Sequence, residues 1–190
     1  MAPKVKISKE TIRDEALRMI KDNGIQSINA RDLGTRLNCS VQPIFRSFLS
    51  MDNLKSELYH TVENMFNNHM NEGMMKHEMP FLGMGLAYID FARKEPNYFK
   101  FLFMYDGFKG LKLLDMIQAD VNRDTIRMIS SMTKLNVESS EQLFLSIWLL
   151  THGIASLMAT NDCDLEDDEI KKILSDSFAG MKLQLKNKGV

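Results

Sequence analysis

The segment Ser40-Val41-Gln42-Pro43-Ile44-Phe45-Arg46-Ser47-Phe48 holds the side chains best suited to reading the edge of a base pair. A glutamine amide pairs with adenine, and the planar fork of an arginine pairs with guanine or with a phosphate. If Ile44, Phe45 and Phe48 face inward on a short helix, Gln42 and Arg46 remain on its exposed side. Arg31 stands near the start of the preceding helix, where a crossing of the sugar-phosphate backbone would fall. Asn29, Ser40 and Ser50 mark helix starts whose free amides suit phosphate oxygens. Charge is distributed to match. The net charge is −1 over 190 residues, yet residues 1–55 carry 10 Lys/Arg against 6 Asp/Glu, or +4, and residues 56–190 carry 14 against 19, or −5. A basic head on an acidic body is expected where the head alone meets nucleic acid.

A second group of side chains suits an apolar ligand. Phe101, Phe103, Met104, Met116, Met128, Phe144 and Trp148 combine aromatic walls with adaptable thioethers, and Tyr88, Tyr105 and His152 are the polar groups that would orient a bound molecule. Each of these also fits an ordinary helical core, and His152 fits a core histidine hydrogen-bonded across a bundle. The Met65 to Met79 stretch, with His69 and His77, offers copper(I)-type ligands, but the spacing forms no compact site and a helix end is the simpler reading. The acidic run from Asp162 to Glu169 lacks the glycine and spacing of a calcium loop and reads as a connector that caps the last helix. There is no phosphate-cradling glycine loop, no Ser/His/Asp spacing and no Cys/His cluster. Neither an enzyme nor a cofactor is expected.

Helices must position all of these residues. Proline and glycine are sparse, at 4 and 10, and apolar residues recur at helical spacing almost throughout, so the fold class expected is all-α. Ser8 caps a first helix with Ile12, Ala16, Met19 and Ile20 inward, and Asn23-Gly24 stops it. Asn29 caps a second, with Ala30, Leu33 and Leu37 buried and Asp32 satisfying a further free amide. Ser40 caps a third with Pro43 in its first turn. Ser50 caps a fourth, running to about Met75, with Leu54, Leu58, Met65 and Phe66 on one face. Further helices are expected over about Phe81–Lys94, Asn97–Tyr105, Lys112–Met132, Ser139–Ala159 and Asp167–Lys186. No apolar run approaches the ~20 residues of a membrane helix, and there is no signal-type N-terminus, so a cytoplasmic protein without a membrane partner is expected. Cys39 and Cys163 share no motif and read as reduced thiols.

The run Gly24…Ile28-Asn29-Ala30-Arg31-Asp32-Leu33…Leu37-Asn38-Cys39-Ser40-Val41-Gln42-Pro43-Ile44-Phe45-Arg46-Ser47-Phe48…Asn53-Leu54 resembles the DNA-binding domain of the TetR family of transcription regulators. The likeness covers nearly all of residues 8–55 without gaps. It implies a helix-turn-helix whose third helix reads operator bases through Gln42, Pro43 and Arg46. Phosphate would be met by Arg31, Ser40, Phe45 and the Ser50-Met51 helix start. Phe45 stands where the family usually has tyrosine, and Met51 where it has lysine, so two phosphate contacts are missing. Lys4, Lys6, Lys9 and Lys55 are candidates to compensate. Asn38 replaces a common glycine, Gly34 a common alanine and Asn29 a common threonine. Tyr88-Ile89-Asp90-Phe91-Ala92…Pro96…Phe99 and Trp148…His152-Gly153-Ile154 are similar to one group of the family's C-terminal domains.

The resemblance implies a homodimer held through the last two helices. A head at residues 1–52 would bind a near-palindromic double-stranded operator. A body at 53–190 would bind a largely apolar small-molecule effector whose arrival releases repression. The rival reading is a helical ligand-binding or adaptor protein that kept the fold with weak or lost DNA binding.

Overall fold

In the computed structural model, residues 7–105, 120–160 and 163–188 are described. All regular structure among them is helical, so the fold class is all-α. In chain order the helices are α1 (Lys9–Asn23), α2 (Ala30–Arg36), α3 (Gln42–Phe48), α4 (Met51–Lys76), α5 (Pro80–Lys94), α6 (Pro96–Phe103), α7 (Asp120–Thr133), α8 (Val137–Thr160) and α9 (Asp167–Lys188). A 3₁₀ turn at Ile25–Ser27, not foreseen from the sequence, joins α1 to α2.

Local rules set most boundaries. The Ser8 hydroxyl accepts the Thr11 amide, the Asn29 side chain accepts the Asp32 amide, and Ser50 Oγ accepts the Asn53 amide. Asp32 does not reach a further amide of its own helix as expected; its carboxylate accepts from Asn29 Nδ2 at 2.7 Å. Gly24 ends α1 at φ 76°, a backbone that a Cβ would strain. At α9, the Glu169 carboxylate accepts the Glu166 amide at 2.9 Å, and Asp167, Asp168 and Glu169 fill the positive first turn. The acidic run is thus a capping segment over its described residues; Asp162 lies outside them.

Three expectations about these helices need correction. Ser40 does not cap α3: Val41 is the N-cap residue and no side chain serves the helix start, because the helix begins one residue later than the serine requires. On α4 the buried positions are Leu54, Leu58 and Val62, whereas Met65 is exposed and Phe66 half-buried. Phe66 packs edge-on against Phe103 of α6 at 5.2 Å, while Met65, one residue earlier, turns outward. Finally, α8 is 24 residues long and, with a mean hydropathy of 1.6 over its best window, is long and apolar enough to cross a membrane by length and composition. Its serines, threonines and His152 interrupt the apolar run when read residue by residue, yet the average stays high. It packs against α5, α7 and α9. Most of the expected Lys112–Met132 helix, and Met116, Gly107 and Gly110 with it, lie outside the described residues.

The chain divides into two compact units. The first takes residues 1–67 and 95–107. Ile12, Ala16, Ile20, Leu33, Ile44 and Leu54 form its core, each fully shielded from solvent. Here α6 is bound to α1: the Tyr98 hydroxyl donates to the Leu17 carbonyl at 3.0 Å, Asn97 Nδ2 donates to the Lys21 carbonyl at 2.8 Å, and Lys21 pairs with Glu95 at 2.6 Å. The second takes residues 68–94 and 108–190. Ile129, Leu143, Phe144, Ile147 and Leu185 centre its core, with Phe81 and Phe178 packed on it. In this unit the end of α4 meets α5 at backbone distance. A Cβ at Gly83 would run into the Gly73 carbonyl oxygen, and one at Gly73 into the Ala87 Cβ.

Candidate functional site

Helix α3 is seven residues long and is held by two of them. Ile44 and Phe48, at i and i+4, are buried against the first unit's core. Phe45 does not face inward with them, as the sequence reading had it; it is 40% exposed. The outward face therefore comprises Gln42, Phe45, Arg46 and the following Leu49, at i, i+3, i+4 and i+7. Gln42 and Arg46 share this face, with Pro43 half-buried in the first turn. Val41 is exposed as well, so three apolar side chains, Val41, Phe45 and Leu49, flank the two polar ones.

The turn that carries α3 away from α2 is tight. Cys39 N donates to the Gly34 carbonyl at 2.8 Å, and a Cβ at Gly34 would sit 3.0 Å from the Cys39 carbonyl oxygen. Gly34 therefore allows a closer approach than alanine would. Asn38 adopts φ 51°, in the left-handed region that asparagine tolerates best after glycine. Both residues noted as departures from the resembled pattern thus have a local conformational reason.

Ion pairing separates the basic residues of the first unit into two groups. Arg13 pairs with Asp14, Arg18 and Arg36 both pair with Glu15, and Lys9 pairs with Glu57 at 2.5 Å while lying 5.0 Å above the Phe48 ring. Arg31 and Arg46 are exposed, and among the described residues they are the two arginines without an ion pair or hydrogen-bond partner. Ser40 is exposed in the turn, and Met51 is half-buried at the start of α4. Lys55 is drawn elsewhere: its ammonium donates to the Tyr105 hydroxyl at 3.4 Å and lies 5.8 Å from that ring's centroid. Lys9, too, is engaged within the fold, and Lys4 and Lys6 lie outside the described residues.

Comparison with protein-family models and with curated proteins gives no match to the sequence.

The residues expected to meet a small molecule fall into two sets. Phe101, Met104 and Tyr105 belong to the first unit. Phe101 is buried edge-on to Tyr59 at 5.8 Å, Met104 is exposed, and Tyr105 takes the Lys55 contact. Tyr88, Met128, Phe144, Trp148 and His152 belong to the second. Phe144 is a core residue, and Met128 is half-buried on α7. Tyr88, Trp148 and His152 do come together. The Tyr88 hydroxyl and His152 Nδ1 are hydrogen-bonded at 2.9 Å from α5 to α8, and the indole of Trp148 stacks on the imidazole at 5.0 Å and 7°. Burial pushes the Tyr88 phenol well above its ordinary pKa and the His152 imidazole below its own, so both are neutral near pH 7. A bundle-crossing pair of neutral groups satisfies itself, in keeping with the core-histidine alternative.

His69 and His77, from the methionine-rich stretch, hold the helix end. His77 Nδ1 accepts the Met79 amide at 3.1 Å, and His69 Nε2 lies 3.0 Å from the Asp90 carboxylate, which Lys94 also approaches at 2.9 Å. Among the described residues no group of three His, Cys, Asp or Glu side chains converges as a metal site.

Proposed function

We propose that the chain is a DNA-binding transcription regulator of TetR type, in which α2 and α3 act as a helix-turn-helix. Gln42 and Arg46 would read base edges, Arg31 would meet phosphate, and the second unit would receive an effector. One observation carries this reading. Every other arginine of the described residues is engaged within the fold, and the two that are not, Arg31 and Arg46, lie where the second and third helices of such a motif need them. An unpaired, exposed guanidinium keeps its full set of donors for a phosphate or for the O6/N7 edge of guanine.

A homodimer through α8 and α9 completes the proposal. Leu149, Leu157 and Leu183 are exposed on those helices, and Gly153 and Gly180 have open space where a side chain would stand. A second copy can approach closely there. Two recognition helices would then enter successive major grooves roughly 34–36 Å apart on a near-palindromic site. Effector binding would favour a conformation whose heads no longer match that spacing, releasing repression. α4, continuous over residues 51–76, would transmit the change.

The exposed Val41, Phe45 and Leu49 favour a second reading, a helical ligand-binding or adaptor protein with weak DNA binding, since none of them can hydrogen-bond a phosphate. Selection of bound fragments from random duplex DNA, followed by titration at fixed salt, separates the two. A regulator enriches a near-palindrome and binds it at least about 10³-fold tighter than random sequence. Weak attraction that is blind to sequence overturns the first reading and leaves the second.

A further inference from the structure

The second unit carries a cleft of about 310 Å³ between α5, the end of α7, α8 and α9. Its walls are apolar, chiefly Phe81, Leu82, Ile147, Leu174 and Phe178, and none of the residues expected from the sequence to meet a ligand lines it. Met79 and Met132, 46% and 43% exposed, border it with flexible thioethers that can close over a guest. Two polar side chains reach it, Ser175 and Lys182, which share one face of α9 with Phe178. Lys182 is half-buried and has no ion pair or hydrogen bond among the described residues, whereas Lys172 on the same helix pairs with Asp176. Lys182 thus brings a cation without an ion pair to the lining of an apolar cleft, where its long stem can lie along the wall. By helical period, Gly180 lies on another face of α9, while Leu183 stands one turn from Ala179 at the cleft's rim, so the cleft borders the surface proposed for dimerisation without coinciding with it.

We infer that this cleft binds a single-chain amphiphile with an anionic head, a medium-chain carboxylate. Its alkyl chain would lie among Phe81, Ile147 and Phe178, and its carboxylate would meet Lys182. The volume stands at the lower end for small-molecule sites, which suits one flexible chain better than a fused-ring compound. A lone cation at the edge of an apolar slot selects a guest that is apolar along its length and negative at one end.

The test uses the full chain and equilibrium dialysis, so it stands apart from DNA binding: either idea can fail while the other holds. Decanoate should bind saturably at one site per chain. Affinity should rise about fourfold for each methylene from hexanoate to decanoate as more chain is buried. Lys182→Gln should weaken decanoate at least about tenfold by removing a charged hydrogen bond, and leave decanol unaffected. Ala179→Phe, at an exposed position on the rim, should block both. Unchanged circular dichroism of both variants would show that the fold is kept. Absence of saturable binding, equal decanoate affinity in Lys182→Gln, or decanoate binding that survives Ala179→Phe overturns the proposal. So does sedimentation with anionic phospholipid vesicles in preference to free decanoate, which would mark a membrane surface as the partner.

Discussion

An arginine without an ion pair can offer its whole fork to an incoming acceptor, and among the described residues Arg31 and Arg46 stand in that condition. Their proposed roles differ, and so do the expected losses. Arg46→Ala should weaken operator binding by more than about tenfold, as the loss of a bidentate base contact does, and relax preference at one base pair; a gel-shift titration giving the wild-type affinity removes Arg46 from the recognition set. Arg31→Gln should weaken all duplexes alike and reduce the log–log salt slope by about 0.9 per lost phosphate contact. An unaltered slope counts against a phosphate role. Phe45 shows where residue-level reading stops. Phe45 and Phe48 are equally apolar, and a one-residue difference in where α3 begins turns the helix by 100°. Composition cannot say which phenylalanine is the anchor; the packing of Ile44 and Phe48 on the core does.

At the scale of elements, two junctions carry conformational demands. Leu49, after α3, has φ 63° and ψ −41° while its side chain is 80% exposed, so the strain of that backbone is not offset by burial. Leu49→Gly should stabilise the protein by about 0.5–1 kcal/mol, the relieved strain exceeding the entropy of the added glycine. A urea midpoint that falls would show that Leu49 makes a contact worth more than the strain. The α4–α5 crossing works the other way. Gly83→Ala places a methyl against the Gly73 carbonyl oxygen and should cost about 1–3 kcal/mol, read as a lowered urea midpoint. Helix existence and most caps were legible from nearest neighbours. The closeness of Gly73 to Gly83 was not, since nothing local distinguishes a glycine at a crossing from one on an open face such as Gly153.

For the whole molecule, ionisation of buried and half-buried groups adds to the pH dependence of stability. His152 has a lowered pKa in the folded protein because burial penalises its charged form. The stability it contributes is present above the unfolded value of 6.5 and is lost as pH falls below it. Tyr98 is raised to about 12, first by burial and then by Glu95 and Asp22, and Tyr88 is raised by burial. Their contributions are present below pH 10 and fade above it, for Tyr98 up to about 12. Thermal melts should therefore decline on both sides of neutrality, and His152→Gln should flatten the decline between pH 6.5 and 5. An identical acid limb in that variant would move the cause to the carboxylates.

The sequence by itself determined the helical class, the starts at Ser8, Asn29 and Ser50 and the stop at Gly24, because these rest on residue type and on neighbours one or two turns away. Tertiary structure alone decided that α6 joins α1 through Tyr98 and Leu17, that Lys55 meets Tyr105, that Tyr88 meets His152, and that Lys182 lines an apolar cleft without a partner among the described residues. Each of these is a relation between segments far apart in the chain. Helical periodicity says which side of a helix is apolar, and only the packing of one helix on another says what that side touches.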